Sequence, residues 1–236
     1  MSTAPTPPVA RTGLRAGRWR FDLLVAAVAL LLLLAWDASG LDLAAARLFG
    51  GADGFPWRDR FFTSRVLHDG GRWVGFAALA LLMFNAWRPL WPGLTRRQRL
   101  VGLGSTVLCL LAIPALKQFS PTSCHWDLSE FGGVARYVSH WRFGVSDGGP
   151  GRCFPSGHAI AAFAFFGGYF MLRGTQPTAA RLWLVAVLLL GTAFGLAQLA
   201  RGAHYPSHTL WSGWLCWVLS AACAYGNRGA TAAPAH

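Results

Sequence analysis

Three polar clusters in an otherwise apolar chain carry the residue types needed for chemistry on an anion. They are residues 117–127 (KQFSPTSCHWD), 153–158 (CFPSGH) and 201–208 (RGAHYPSH). Pro155, Ser156, Gly157 and His158 read as a helix start. Ser156 is a good N-cap, and Gly157 lets an anion come close to main-chain N–H groups. A helix N-terminus favours negative charge, and Lys117 and Arg201 add positive charge beside it. Lys117 is the single lysine in a chain that otherwise uses arginine. Together these residues form a phosphate cradle. His158 and His204 can then divide the work, one attacking phosphorus as neutral imidazole and the other protonating the leaving oxygen. Imidazole suits both tasks because it titrates near neutral pH. Two other readings stand beside this one. His204 and His208 have the i, i+4 spacing of a metal pair, although no glutamate-bearing zincin pattern surrounds them. Cys124 and Cys153, in one long polar loop, read either as a disulfide or, with His125, as metal ligands.

The elements that must position these clusters are apolar. Hydrophobic residues make up 54% of the 236 and charged residues only 13%, about half the share of a soluble domain. That excludes disorder and makes an ordinary soluble enzyme a poor fit. Six apolar stretches follow one another: Leu23–Trp36, Trp73–Trp87, Leu100–Leu116, Ala159–Leu172, Leu182–Ala200 and Thr209–Tyr225. Each must borrow flanking residues to reach the roughly 20 needed to cross hydrocarbon. The pattern predicts an all-α, polytopic membrane protein with six transmembrane helices over residues 21–226. Residues 1–20 read as a disordered basic tail and 227–236 as a short C-terminal tail. The net charge of +12 is read as topology. The short connectors 88–99 and 173–181 are basic, which places both termini in the cytoplasm. The arginines lie between spans and form no stripe, so nucleic acid is not expected as a partner. Residues 41–67 mix apolar and charged side chains and read as an interfacial helix on the outer face, or as a structured loop. Alternating topology puts all three polar clusters on that same face, where ionisable groups at helix ends suggest a site.

The clusters resemble the motifs of the type 2 phosphatidic acid phosphatase superfamily of membrane lipid phosphatases. Residues 155–158 (PSGH) match its second motif completely, and residues 204–207 (HYPS) match the core of its third. The resemblance covers roughly residues 70–225. It implies that His204 is a nucleophile forming a phosphohistidine, that His158 is the general acid, and that Lys117, Ser156 and the Gly157 N–H hold the phosphate, without metal or other cofactor. Three positions depart from the pattern. Cys124 and His125 stand where the first motif has Arg-Pro, Gln198 stands for the third-motif arginine, and His208 stands for the aspartate that orients the nucleophile. Arg201, one helical turn on, is a substitute for the first missing charge, and Asp127 or Glu130 for the second. A bacterial branch of the superfamily with cysteines at similar places suggests a disulfide between Cys124 and Cys153.

The resemblance implies a lipid phosphatase of the bacterial inner membrane with its site facing the periplasm. Undecaprenyl pyrophosphate, phosphatidylglycerol phosphate, phosphatidic acid and lipid A are candidate substrates. A lipid-to-lipid phosphotransferase using the same histidines is the alternative enzyme. A transporter or scaffold with a decayed site is the non-catalytic alternative.

Overall fold

The computed structural model describes residues 10–229, and all regular structure among them is helical. The long helices are α1 (Ala10–Ser39), α3 (Gly70–Trp87), α4 (Arg96–Gln118), α7 (Pro177–Ala200) and α8 (Pro206–Gly229). Shorter ones are α2 (Leu41–Arg47), α5 (Ile160–Phe163) and α6 (Phe166–Leu172), and residues Phe62–Asp69 are wound as a π-helix that runs into α3. Five of the six apolar stretches lie within single helices, and the remaining one, Ala159–Leu172, is divided between α5 and α6. Among the described residues, three helical segments are long and apolar enough to cross a membrane: Arg18–Ser39, Arg96–Gln118 and Pro177–Ala200. Helix α1 starts inside the segment read as a disordered tail, so residues 10–20 are helical. Residues 1–9 and 230–236 lie outside the described part of the chain.

Local sequence explains where helices begin. Thr95 caps α4 by accepting from Gln98 N at 3.2 Å, and Gln98 Oε1 accepts from Thr95 N at 2.9 Å, a reciprocal capping box. Pro177 and Pro206 open α7 and α8, where a missing N–H costs nothing. The stretch 159–172 is not one helix. Trp183 Nε1 donates to the Phe165 carbonyl at 2.8 Å, and the chain turns there between α5 and α6. Small residues then let helices touch. A Cβ on Gly167 would lie 2.6 Å from the Gly102 carbonyl of α4, and one on Gly191 would lie 2.1 Å from the Phe163 ring. Such close approach drives helix association where water supplies no hydrophobic force.

The core is formed by α5 and α6, with Phe163, Phe165, Phe166 and Phe170 packed against α4, α7 and α8. The outer surface is equally apolar. Leu31 and Leu32 on α1 and Leu182 and Leu189 on α7 are each about two-thirds exposed (66%, 68%, 68% and 66%). Long helices with apolar faces on both the core and the outer side fit a membrane protein. Two polar zones lie at opposite ends of the α1–α8 pair. At one end Arg173 donates to Asp22 at 2.6 Å and Tyr225 also donates to Asp22, joining α1, the end of α6 and α8. At the other end Asp37 accepts from Trp141 and Trp211 at 2.9 Å, and from His140 at 3.3 Å. The three polar clusters lie at this second end. Residues 41–67 are not a single flat helix there. They form α2, a loop with a bridge between Gly51 and Gly54, and part of the π-helix.

Candidate active site

The phosphate-loop candidate is held from two sides. The Ser156 N–H donates to the His208 carbonyl at 3.1 Å, and Ser212 Oγ lies 2.8 Å from the Ser156 carbonyl and 3.0 Å from that of His208. The first turn of α8 thus fixes the 153–158 loop. Asp42, buried on α2, accepts from Ser207 N at 3.0 Å and also from Ser207 Oγ, anchoring the start of α8 itself. On the other side, Cys153 is joined to Cys124 by a disulfide with Cα atoms 5.2 Å apart. The Cys153 N–H donates to the Thr122 carbonyl at 2.9 Å. Both sulfurs are therefore committed to each other and are not available as metal ligands with His125. His125 is fully buried instead, stacked on Tyr205 with ring centroids 4.3 Å apart.

Lys117, in the last turn of α4, reaches this loop. A Cβ placed on Gly157 would lie 3.6 Å from Lys117 Nζ. Neither Gly157 N–H nor His158 N–H finds a main-chain acceptor among the described residues. Two side-chain atoms of the loop, Ser156 Oγ and His158 Nε2, are buried without a protein partner among the described residues, as is Gln198 Nε2 on α7. Buried polar atoms are nearly always satisfied, so a cluster of unsatisfied ones beside an ammonium group reads as the lining of a polar ligand site.

The two catalytic candidates are in electrostatic reach of each other. His204 is buried, and burial with the nearby charges of Lys117, His125 and His158 holds its imidazole well below the ordinary range. It is therefore neutral at pH 7, the state a nucleophile requires. Its Nδ1 lies 3.6 Å from Cys153 Sγ, and the Cys153 carbonyl faces the ring, which leaves Nε2 for attack. His158 is pushed down to about 4, mainly by burial and next by His68, with Arg201 and Arg72 adding to the effect. A carbonyl acceptor, Leu67, faces the ring, and Nε2 has no partner. Arg201 lies on the His158 side, with its Nε donating to the Arg58 carbonyl at 2.8 Å.

The replacement carboxylate is not where the sequence suggested. Glu130 pairs with Arg47 at 2.5 Å. Asp127 faces Trp126, Arg58 and Asp147, and burial raises its carboxyl. Neither residue is among the groups that act on His204. The physical reason is local: Asp127 caps a tight turn, with its carbonyl accepting from Val134 and Ala135 N at 2.8 Å each. Main-chain and sulfur atoms of Cys153 occupy the orienting position beside His204. His208 is fully buried, 5.9 Å from His204 by ring centroids. Cys153 Sγ and a ring nitrogen from each of His204 and His208 lie within 4.8 Å of one another, but that sulfur is half of the disulfide. Sequence reading also passed over His68, whose ring stacks on His158. An adjacent His-Asp pair at the mouth of a span was the available signal.

No curated protein and no solved structure matches the chain. The model of the PAP2 superfamily matches residues 114–231, half of the chain, and this stretch includes Lys117, the disulfide, the 155–158 loop, and both His204 and His208. The chain is therefore a member of the PAP2 superfamily.

Proposed function

We propose that this protein is a membrane phosphatase that hydrolyses a phosphate or pyrophosphate ester of a lipid through a phosphohistidine at His204. The observation that carries this reading is the set of unpartnered polar atoms on Ser156, His158 and Gln198, with Lys117 Nζ close to Gly157 and the buried His204 in electrostatic reach of both Lys117 and His158. The phosphate binds between Lys117, Ser156 Oγ and the free N–H groups of Gly157 and His158. Gln198 Nε2 and Arg201 provide the donors that the usual arginine supplies. His204 Nε2 attacks phosphorus in line. The bond to the ester oxygen breaks, and that oxygen takes a proton from His158 Nε2. Water then attacks the phosphohistidine and gives its proton to His158. The P–N bond breaks, and inorganic phosphate leaves with both imidazoles restored.

His158 must be charged to act first, yet burial favours its neutral form. A bound phosphate dianion beside Nε2 reverses that preference, so substrate binding loads the acid. General acid catalysis of this kind contributes about 10²–10⁴-fold.

We infer six membrane passes with both termini in the cytoplasm, a topology supported by the basic connectors 88–99 and 173–181, and with it a site at the periplasmic face of a bacterial inner membrane. The headgroup reaches the histidines while the acyl or prenyl chains stay in lipid. The test is phosphate release by the purified full chain from a panel of lipid phosphates and pyrophosphates. Wild type is expected to turn over at least one of them, and His204→Ala to lose at least about a thousandfold. Equal turnover by the two proteins would refute the proposal.

A further inference from the structure

The general-acid candidate has a partner outside the matched family segment. His68, on the π-helix Phe62–Asp69, lies face to face with His158, with ring centroids 4.2 Å apart and planes within 8°. Its Nδ1 is 3.0 Å from Asp69 Oδ1, and Asp69 in turn accepts from Arg65 at 3.2 Å. The Leu67 carbonyl, from the same turn, faces the His158 ring as an acceptor. Phe194 of α7 closes another side with a centroid distance of 5.9 Å and its ring edge-on. One π-helical turn therefore supplies both a flat surface and a hydrogen-bond acceptor to the same imidazole. π-Helical turns are rare and concentrate at functional sites. A widened turn is what lets consecutive residues 67 and 68 both reach one ring.

We propose that His68, braced by Asp69, is a positioning residue that clamps the His158 ring so that its Nε2 points at the leaving oxygen. This rests on the phosphatase reading above and extends it to a segment that precedes residues 114–231. An imidazole held by one hydrogen bond still rotates about its side-chain torsions. A stacked ring stops that rotation without competing for Nε2. In the family pattern a carboxylate orients the nucleophile. Here that position is His208, and a carboxylate–histidine pair stands on the general-acid side instead.

The test uses the sensitivity of general acid catalysis to the leaving group. An alkoxide leaves poorly and needs the proton, whereas a nitrophenolate leaves readily without it. The full chain, His68→Ala, His68→Phe and His204→Ala are compared on a long-chain alkyl phosphate and on a nitrophenyl phosphate bearing the same chain. In His68→Ala, kcat on the alkyl ester is expected to fall about 10- to 100-fold with KM within twofold. The loss on the nitrophenyl ester is expected to be at least tenfold smaller. His68→Phe keeps the flat ring and restores alkyl turnover to within about threefold of wild type. Equal losses on both esters, no loss on either, or no rescue by phenylalanine would overturn the clamp. Retained turnover in His204→Ala would overturn the underlying phosphatase reading, and the clamp with it.

Discussion

Replacing Gly157 by alanine separates phosphate binding from folding. The backbone at Gly157 is not in the left-handed region, so alanine fits without strain. Its methyl would sit 3.6 Å from Lys117 Nζ and 3.7 Å from Lys117 Cδ, ordinary van der Waals contact. The fold therefore loses little. A phosphate oxygen bound to Nζ must come to about 2.7–2.9 Å, and the methyl takes up space on the lysine-facing side of the loop. One lost hydrogen bond to a charged group costs about 1.5–3 kcal/mol. At about 1.4 kcal/mol per factor of ten, kcat/KM should fall roughly 10- to 150-fold. The control is Gly191→Ala, whose methyl would lie 2.1 Å from Phe163 in the core, an overpacking that costs about 1–3 kcal/mol of stability. Phosphate release and thermal unfolding in detergent are measured for both variants. Gly157→Ala should lose catalysis while its Tm stays within about 2 °C of wild type, and Gly191→Ala should lose Tm. The reasoning is refuted if Gly157→Ala keeps kcat/KM within threefold of wild type, or if its Tm falls as far as that of the core variant.

Removing the disulfide with Cys124→Ala and Cys153→Ala opens a loop closed over 29 residues. That costs about 3–4 kcal/mol in the chain-entropy model, a Tm loss of roughly 10 °C, and it frees the segment against which His204 rests. Burial pushes His125 down to about 3 from the 6.5 of an unfolded histidine. Its neutral form is thus the folded one, so this contribution is complete above pH 6.5 and is lost as pH falls from 6.5 toward 3, by about 1.4 kcal/mol per unit. His125→Phe should flatten the dependence of Tm on pH across that window. At the opposite end of the helices, Asp22→Asn leaves Arg173 buried without its counter-charge. Chemical denaturation should register about 3–5 kcal/mol with kcat little changed.

Hydrophobic runs located the helices because apolar length is a local property. Leu100–Leu116 lies inside α4, and Leu182–Ala200 lies inside α7. The break within 159–172 was not legible, since it depends on a hydrogen bond from Trp183, 18 residues away in sequence. The 155–158 loop was legible as a turn, although it does not start a helix with Ser156 as its cap: α5 begins at Ile160, its N-cap is Ala159, and Ser156 Oγ has no hydrogen-bond partner among the described residues. The partners that fix the loop were not legible: Asp42 reaches Ser207 from 165 residues away, and nothing in a 3.6-residue period announces such a tether. Asp127 misled for the same reason. Its place in the chain, just after Lys117, suggested that it faces the histidines, but the turn at 124–135 sends it toward Arg58 and Trp126. The His68–His158 stack likewise joins the π-helix to the 153–158 loop, two segments far apart in sequence.

The most direct test of the account is to trap the covalent intermediate. The full chain is mixed with a lipid phosphate carrying radiolabelled phosphorus, quenched in base within milliseconds to seconds, and digested for peptide mapping. A base-stable, acid-labile label on the peptide containing His204, absent in His204→Ala and accumulating in His158→Ala with a nitrophenyl ester, is the predicted result. Turnover with no label on that peptide, or with label on another residue, would contradict it.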